Sequence, residues 1–187
     1  MAFFCRVSIV LLLAGTAPAA MADGVLDAID AARSAYQGGD MQQTLEELSN
    51  AQQLVREMNT AGLSAFLPGP PSGWTRALSN ESMTGRSIFG GGVGASAVYS
   101  SGDAQFGVTL MADNAVVQAL AGLLGDIDSV SVGDKIMIGT QPFLEQSGEL
   151  TGLVDGRIIV QAVGASVEAM RPVLERIDFA GLAQFGR

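Results

Sequence analysis

The stretch that decides the fold is LTGLVDGRIIVQAV, residues 150–163. Its Asp155-Gly156 dipeptide fits a two-residue type I′ turn, because both turn residues must adopt positive φ. Apolar runs flank the turn on each side, so the stretch predicts a β-hairpin. Residues 158–163 are largely apolar on both faces, which is typical of a strand that is covered above and below. We therefore expect residues 158–163 to form a central strand.

The segments before this hairpin also carry strand patterns. In residues 105–111, Phe106, Val108 and Leu110 alternate with less apolar residues, the period of a half-buried strand. Residues 93–99 precede them across a Ser-Ser-Gly-Asp turn cluster, and residues 130–138 alternate in the same way. Because the turns are short, the sheet should be mainly antiparallel.

Two helical patterns accompany these strands. Residues 114–124 place their apolar residues on one helical face, and Gly125 ends the pattern. A closing helix follows Ser166, which is placed to cap it, and Pro172 is expected to kink it. The apolar face of this closing helix comprises Val167, Met170, Val173, Leu174 and Ile177.

Residues 23–62 predict a helical hairpin. Gly38-Gly39 ends the first helix, and Asp40 with Gln43 forms a capping-box arrangement at the start of the second. The predicted buried stripes are Val25, Ile29, Ala32 and Tyr36 in the first helix, and Met41, Leu45, Leu48, Ala51, Val55 and Met58 in the second. The fold class is therefore α+β, with an N-terminal helical hairpin followed by a mainly antiparallel sheet with two packed helices.

This hairpin resembles a single tetratricopeptide repeat. Gly39-Asp40 lies at the turn, and Thr44, Leu48 and Ala51 occupy positions that the repeat fills with small and bulky residues. The usual glycine of the first helix is replaced by Ala32, and the sequence has no second copy, although such repeats need about three units for stability. We expect the hairpin to pack on the body of the same protein, with partner binding as the alternative.

A stiff connector, residues 63–74, separates the hairpin from the sheet domain, residues 75–187. Pro68, Pro70 and Pro71 favour extended polyproline II structure there. Trp74, the only tryptophan, ends the connector. It is interpreted as an anchor packed on the next core, with an exposed ligand-stacking role as the alternative.

The N-terminus has the pattern of a secretory signal. Residues 1–22 combine one positive charge, a short apolar run and an Ala-Met-Ala cleavage site before Asp23. Cys5, the only cysteine, precedes the apolar run, so it does not match the position of a lipoprotein cysteine. We expect export to the periplasm, with no membrane insertion.

Charge and composition exclude several classes of partner. Ten Lys and Arg face nineteen Asp and Glu, a net charge of −9, and the basic residues form no cluster. Nucleic acids and anionic lipid surfaces select basic patches, so neither is an expected partner. An unknown protein or small molecule is expected instead.

The sequence offers little for catalysis, and we predict no catalytic residue, metal ligand or cofactor. The chain has no histidine, no G-x-S-x-G elbow and a single lysine, Lys135. The glycine-rich residues 89–95 lack the Lys and Ser/Thr of a phosphate loop. Residues 126–134 lack the alternating ligands of a calcium loop, and the scattered methionines favour core filling over copper binding. Paired carboxylates stay open, because their spacing is spatial.

Part of the chain resembles a known structural type. The Pro-Pro-Ser-Gly-Trp entry, the glycine-rich strand ending at Tyr99 and the closing strand–helix pair resemble small exported proteobacterial proteins. More distantly, residues 68–182 are similar to the PsbP/Mog1 type of α-β-α sandwich. This resemblance implies a binding or accessory module and brings no catalytic residue with it.

We therefore expect a non-catalytic periplasmic binding or accessory protein, with a carboxylate-dependent hydrolase of the cell envelope as the alternative. The predicted recognition surface is the seam between the hairpin and the sheet. Its candidate binding residues are Trp74, Arg86 and Tyr99. Clefts between packed units are common ligand sites, and the neighbouring glycines ease backbone rearrangement.

Overall fold

A computed structural model describes residues 17–79, 93–112, 117 and 133–187, with the backbone alone for residues 17–22 and 79. The predicted features at residues 1–16, at Arg86, at residues 89–92 and over most of the helix at 114–124 lie outside the described residues. The chain forms two compact units, one ending at Val55 and the other beginning at Arg56. Within the described ranges, no helix is both long and apolar enough to cross a membrane.

The first unit contains the predicted helical hairpin. Helix α1 spans Ala17–Gln37 and helix α2 spans Met41–Ser64, so α2 extends past Val55 into the second unit. Gly39 has φ +82°, a conformation that ends a helix without a Cβ clash. The Gln43 N–H donates to the Asp40 carboxylate at 3.0 Å, which confirms the predicted cap.

The buried side of the hairpin differs from the prediction. Its buried side chains are small, namely Ala28, Ala32, Ala35 and Ala51, whereas most of the larger apolar residues of the predicted stripes are exposed. Gly24 lies against α2, since a methyl group on Gly24 would stand 3.6 Å from Leu54 Cδ1. The helices thus meet through small residues, and the large side chains point elsewhere.

The second unit is built on one seven-stranded sheet. Its strands are β1 Thr75–Ser79, β2 Val93–Ser101, β3 Ala104–Ala112, β4 Asp134–Ile138, β5 Gln141–Gln146, β6 Glu149–Val154 and β7 Ile158–Val163. They lie in the order β1-β2-β3-β7-β6-β5-β4, and every neighbouring pair is antiparallel. Strand β7 is the fourth of the seven, so its predicted central position is confirmed.

The turn that precedes β7 has the predicted positive φ angles, but its loop is one residue longer than predicted, because residues 155–157 separate Val154 from its register partner Ile158. Asp155 and Gly156 both have positive φ, 53° and 67°, and the Arg157 N–H donates to the Val154 carbonyl at 3.1 Å. Only a few residue types adopt this backbone at low cost, and Asn, Asp and Gly are chief among them. This local chemistry fixes the register of β6 on β7.

The core lies on one face of the sheet. Two short helices, α3 Val167–Leu174 and α4 Phe179–Ala183, pack there with the connector and the last turn of α2. Ser166 precedes α3 as predicted, but its side chain makes no capping hydrogen bond. The largest buried side chains of this core are Leu63, Leu67, Tyr99, Phe106, Leu110, Ile138, Phe143, Leu150, Ile158, Met170 and Leu174.

The sequence prediction missed three elements, β1, β5 and α4. Strand β5 contains Pro142, which cannot donate to a ladder, and its only large buried side chain is Phe143. It pairs with its sequence neighbours, β4 across residues 139–140 and β6 across residues 147–148, so two tight turns and not its own residue pattern place it in the sheet. Helix α4 has five residues, too few for a periodic pattern.

Candidate functional site

Trp74 is a half-buried anchor at the end of the connector. The backbone N–H of Trp74 donates to the Pro71 carbonyl at 3.1 Å, across a turn in which Gly73 has φ +81°. Its ring contacts Phe106 edge to face, with centroids 5.2 Å apart, and packs against the hydrophobic core. Part of the ring is still accessible, so this position combines an anchor with a limited contact surface.

Tyr99 has a structural position inside the second unit. Its side chain is fully buried, and its ring stacks on Phe106 with centroids 5.3 Å apart. Its hydroxyl donates to the Pro68 carbonyl at 2.7 Å, while Arg76 Nη1 donates to the Leu67 carbonyl at 2.6 Å. Tyr99 and Arg76 therefore fasten the proline connector to the sheet, and Tyr99 offers a partner no accessible surface.

The structure brings two of the three predicted binding residues together. Trp74 and Tyr99 contact the same Phe106 ring, while Arg86 lies outside the described residues. The accessible part of this group is the Trp74 ring alone. The predicted recognition surface around these residues stays a prediction.

Burial changes the acidity of Tyr99. Loss of hydration raises the pKa of its hydroxyl from 10.0 to about 12, although the neighbouring Arg76 charge acts in the opposite direction. The folded protein therefore holds this proton more tightly than the unfolded chain does. The stability that this provides is complete below about pH 10 and is lost as the pH rises to about 12.

This linkage gives a measurable expectation. Between pH 10 and 12, the free energy of unfolding should fall by roughly 2–3 kcal/mol more in the wild type than in Tyr99→Phe, which has no proton to lose there. In a Tyr36→Phe background, phenolate absorbance reports Tyr99 alone, since the chain has two tyrosines. Its midpoint should lie near 12 while circular dichroism shows folded protein. A midpoint near 10 in folded protein would contradict this burial.

The described sheet brings two carboxylates into direct opposition. Asp134 on β4 pairs with Glu145 on β5, the only acidic pair in register among the described strands. The Glu145 side chain already accepts the Gly148 N–H at 2.9 Å, in the turn before β6. Glu145 thus stabilises this turn. Asp134 and Glu145 are also the residues at which the alternative hypothesis, a carboxylate-dependent hydrolase, can be tested. Within the described ranges, no three His, Cys, Asp or Glu lie close enough together to hold a metal ion.

The most prominent surface feature lies on the helical hairpin. Seven of the ten exposed large apolar side chains among the described residues belong to α1 and α2. Leu45 is 69% exposed and Leu26 and Tyr36 are each 62% exposed. We call this surface the apolar face, and its members are Leu26, Ile29, Tyr36, Met41, Leu45, Leu48 and Val55.

Helical geometry places these residues on one side of the hairpin. The seam is the side of each helix that faces the other helix, where residues are buried or half-buried. Most residues of the apolar face come directly after a seam residue in the sequence, as Ile29 follows Ala28 and Leu48 follows Glu47. One residue turns an α-helix by about 100°. Because the helices run antiparallel, this rotation of about 100° places the residue after each seam residue on the same side of the hairpin in both helices.

The apolar face carries no carboxylate. Its positions in α1 are 26, 29, 33 and 36, and those in α2 are 41, 45, 48, 52 and 55, so its polar members are Arg33 and Gln52. Arg33 forms an exposed ion pair with Asp30 at 3.1 Å. The acidic residues of both helices occupy other positions. Seven of these nine positions are thus apolar, and the one cation among them, Arg33, lies between Ile29 and Tyr36 along α1.

Sequence reasoning identified most of these residues but assigned them to the interior. In α1, two heptad-spaced sets run side by side, small residues at 28, 32 and 35, and larger ones one position later. The two adjacent sets were the signal that could have predicted an exposed apolar face, because a hairpin of two helices buries only one set at its seam.

Comparison with known proteins adds no assignment. No family model matches the chain, no curated protein matches it, and no solved structure matches it. The resemblance to exported proteobacterial proteins and to the PsbP/Mog1 type therefore stays a prediction.

Proposed function

We propose that this protein is a non-catalytic binding or accessory protein of the periplasm that works through contact with another protein chain. The N-terminal secretory pattern supports the location. The apolar face of the hairpin supports the mode of action, and it is the single observation that carries the proposal. Partner contact at the hairpin is the alternative that the sequence left open.

The size of the apolar face favours a role in recognition. With the exposed fractions of its seven residues applied to whole-residue areas, the face offers roughly 800 Å², whereas monomeric proteins rarely expose apolar patches above a few hundred Å². Burial of such a face against an apolar partner is favourable by roughly 25 cal/mol for each Å² removed from water.

The charge around the face favours a protein over a lipid surface. Amphipathic helices that lie on membranes carry Lys and Arg on the polar side, which attract anionic headgroups. The polar positions of α1 and α2 carry instead the acidic residues Asp23, Asp27, Asp30, Glu46 and Glu47, among others.

Site-specific photocrosslinking in cells tests this contact. A benzophenone amino acid at position 45 should give a protein adduct, because Leu45 lies at the centre of the apolar face and is 69% exposed. The same probe at position 50 is the matched control, since Asn50 is exposed but lies away from this face. Equal adduct yields at the two positions would contradict the proposal, and mass spectrometry identifies the captured chain.

An activity screen tests the competing hydrolase hypothesis. The purified protein should turn over no ester, peptide, phosphoester or glycoside substrate. Turnover that disappears in Asp134→Asn or Glu145→Gln, but persists in Asp103→Asn at the exposed β2–β3 turn, would overturn the non-catalytic assignment.

A further inference from the structure

We propose that the partner at the apolar face is a second copy of this chain, so that two hairpins complete an antiparallel four-helix bundle. This rests on the proposed function, in which the apolar face contacts protein. Three features of the hairpin argue for this occupant: the spacing of the face, its area and the placement of its charges.

The spacing of the face is that of a helix–helix seam. In α1 its positions are 26, 29, 33 and 36, and in α2 they are 41, 45, 48, 52 and 55, with intervals that alternate between three and four residues. This is the interval of the a and d positions through which helices interlock. The seam between α1 and α2 has the same spacing one residue earlier, with Ala28, Ala32 and Ala35 in α1.

Each helix therefore has two adjacent seams. The first consists of small residues in α1 and of the mixed residues Thr44, Glu47, Ala51 and Leu54 in α2, whereas the second is mostly large and apolar in both helices. A helix in an isolated hairpin needs only the first seam, whereas a helix in a four-helix bundle packs on two neighbours. The hairpin supplies two helices of such a bundle. A second hairpin related by a two-fold axis supplies the other two, and the same surface then serves both partners.

The area of the face meets what a stable dimer needs. Its exposed side chains offer roughly 800 Å² per chain, which is the area that each partner of a standard-sized protein interface buries. The residues are large and aliphatic with one tyrosine, Tyr36, a composition suited to an interface centre. A second copy presents the same area and the same spacing, so no surface is left unmatched.

The charges of the hairpin permit self-association. Because the apolar face carries no carboxylate, two copies that meet there place no acid against acid within the seam. Arg33 and Gln52 are its polar members, one on each helix. Single polar residues in such seams select register and oligomeric state at some cost in stability. Most acidic residues of the hairpin then lie on the outer surface of the bundle, whereas Glu47 is half-buried at the seam between α1 and α2.

The test is the mass of the purified protein in solution, measured by light scattering and sedimentation equilibrium. Wild-type protein should have twice the mass of one chain. Leu45→Glu should halve that mass, because each substitution enters a two-fold interface twice and buries two unpaired carboxylates. Far-UV circular dichroism and Trp74 fluorescence should stay as in the wild type, since Leu45 is 69% exposed within one chain.

Asn50→Glu is the matched control. It adds the same charge to the same helix outside the apolar face, so it should leave the dimer intact. A wild-type mass of one chain at high micromolar concentration would overturn the inference. A dimer that persists in both Leu45→Glu and Leu48→Glu would also overturn it, because the copies would then meet elsewhere.

The outcomes separate this inference from the proposed function. A monomer that is crosslinked from position 45 to a different protein refutes the second copy while it supports protein binding at the face. Substrate turnover that depends on Asp134 or Glu145 refutes the non-catalytic role, whatever the oligomeric mass.

Discussion

Replacing Ile159 or Val160 by Asp should unfold the sheet unit. Both residues lie in β7, the fourth of seven strands, and they are 1% and 0% exposed on opposite faces of the sheet. An unpaired carboxylate at either position loses its hydration without gaining a partner. The resulting loss should match the whole stability of an ordinary domain, about 5–15 kcal/mol. Trp74 fluorescence in a urea titration reports it, because the only tryptophan packs on Phe106 in this unit.

Val163→Asp is the matched control for this prediction. It places the same charge in the same strand, but Val163 is 47% exposed at the strand end. Its carboxylate keeps its hydration, so the urea midpoint should move little. Equal losses in Ile159→Asp and Val163→Asp, which share one face of the sheet, would refute the burial of β7 on that face, and a small loss in Val160→Asp would refute its burial on the other face.

Gly152→Ala should lower the free energy of unfolding by about 1–3 kcal/mol, the usual effect of overpacking a core. Gly152 on β6 pairs directly with Phe143 on β5, and the phenyl ring covers the glycine. A methyl group there would stand 2.8 Å from Phe143 Cζ and 2.9 Å from Cε1. Because Phe143 is fully buried, its ring has no free space into which to move.

Gly107→Ala tests whether this loss comes from the ring. Gly107 also lies within a strand, β3, but a methyl group there would meet nothing within 4 Å. It should therefore be neutral or slightly stabilising, because alanine restricts the unfolded chain. A Phe143→Leu background should reduce the cost of Gly152→Ala. Equal costs for the two glycine substitutions, measured by urea unfolding, would contradict the close contact.

Local chemistry made much of the fold predictable. Asp155-Gly156 specifies its turn wherever it lies, because few other residue pairs adopt two successive positive φ angles cheaply. The cap at Asp40 likewise depends on a residue only three positions away, Gln43. Residues 158–163 are largely apolar on both faces of β7, and this predicted its central position. A strand with one solvent-exposed face would instead alternate apolar and polar residues.

Hydrogen bonds and packing with other segments decided what the residue pattern of each segment missed. Strand β5 is held by its ladders to β4 and β6, and its own residues carry little strand signal around Pro142. The role of Tyr99 follows from a hydrogen bond to Pro68, 31 residues away in the chain, which periodicity does not encode. The candidate surface near Trp74 was predicted from the proline connector and the glycine-rich residues 89–95, and burial removed Tyr99 from its accessible part.

The hairpin shows most clearly the difference between what local sequence signals predict and what packing decides. The sequence by itself determined that α1 and α2 are amphipathic, antiparallel and capped, because spacing and end signals are properties of each helix. It did not determine which apolar set lies between the helices, since both sets have the same heptad spacing. Tertiary packing decided this. Helices that meet through Ala28 and Ala32 can approach closely, and the bulkier Ile29 and Leu45 are then left on the outer side.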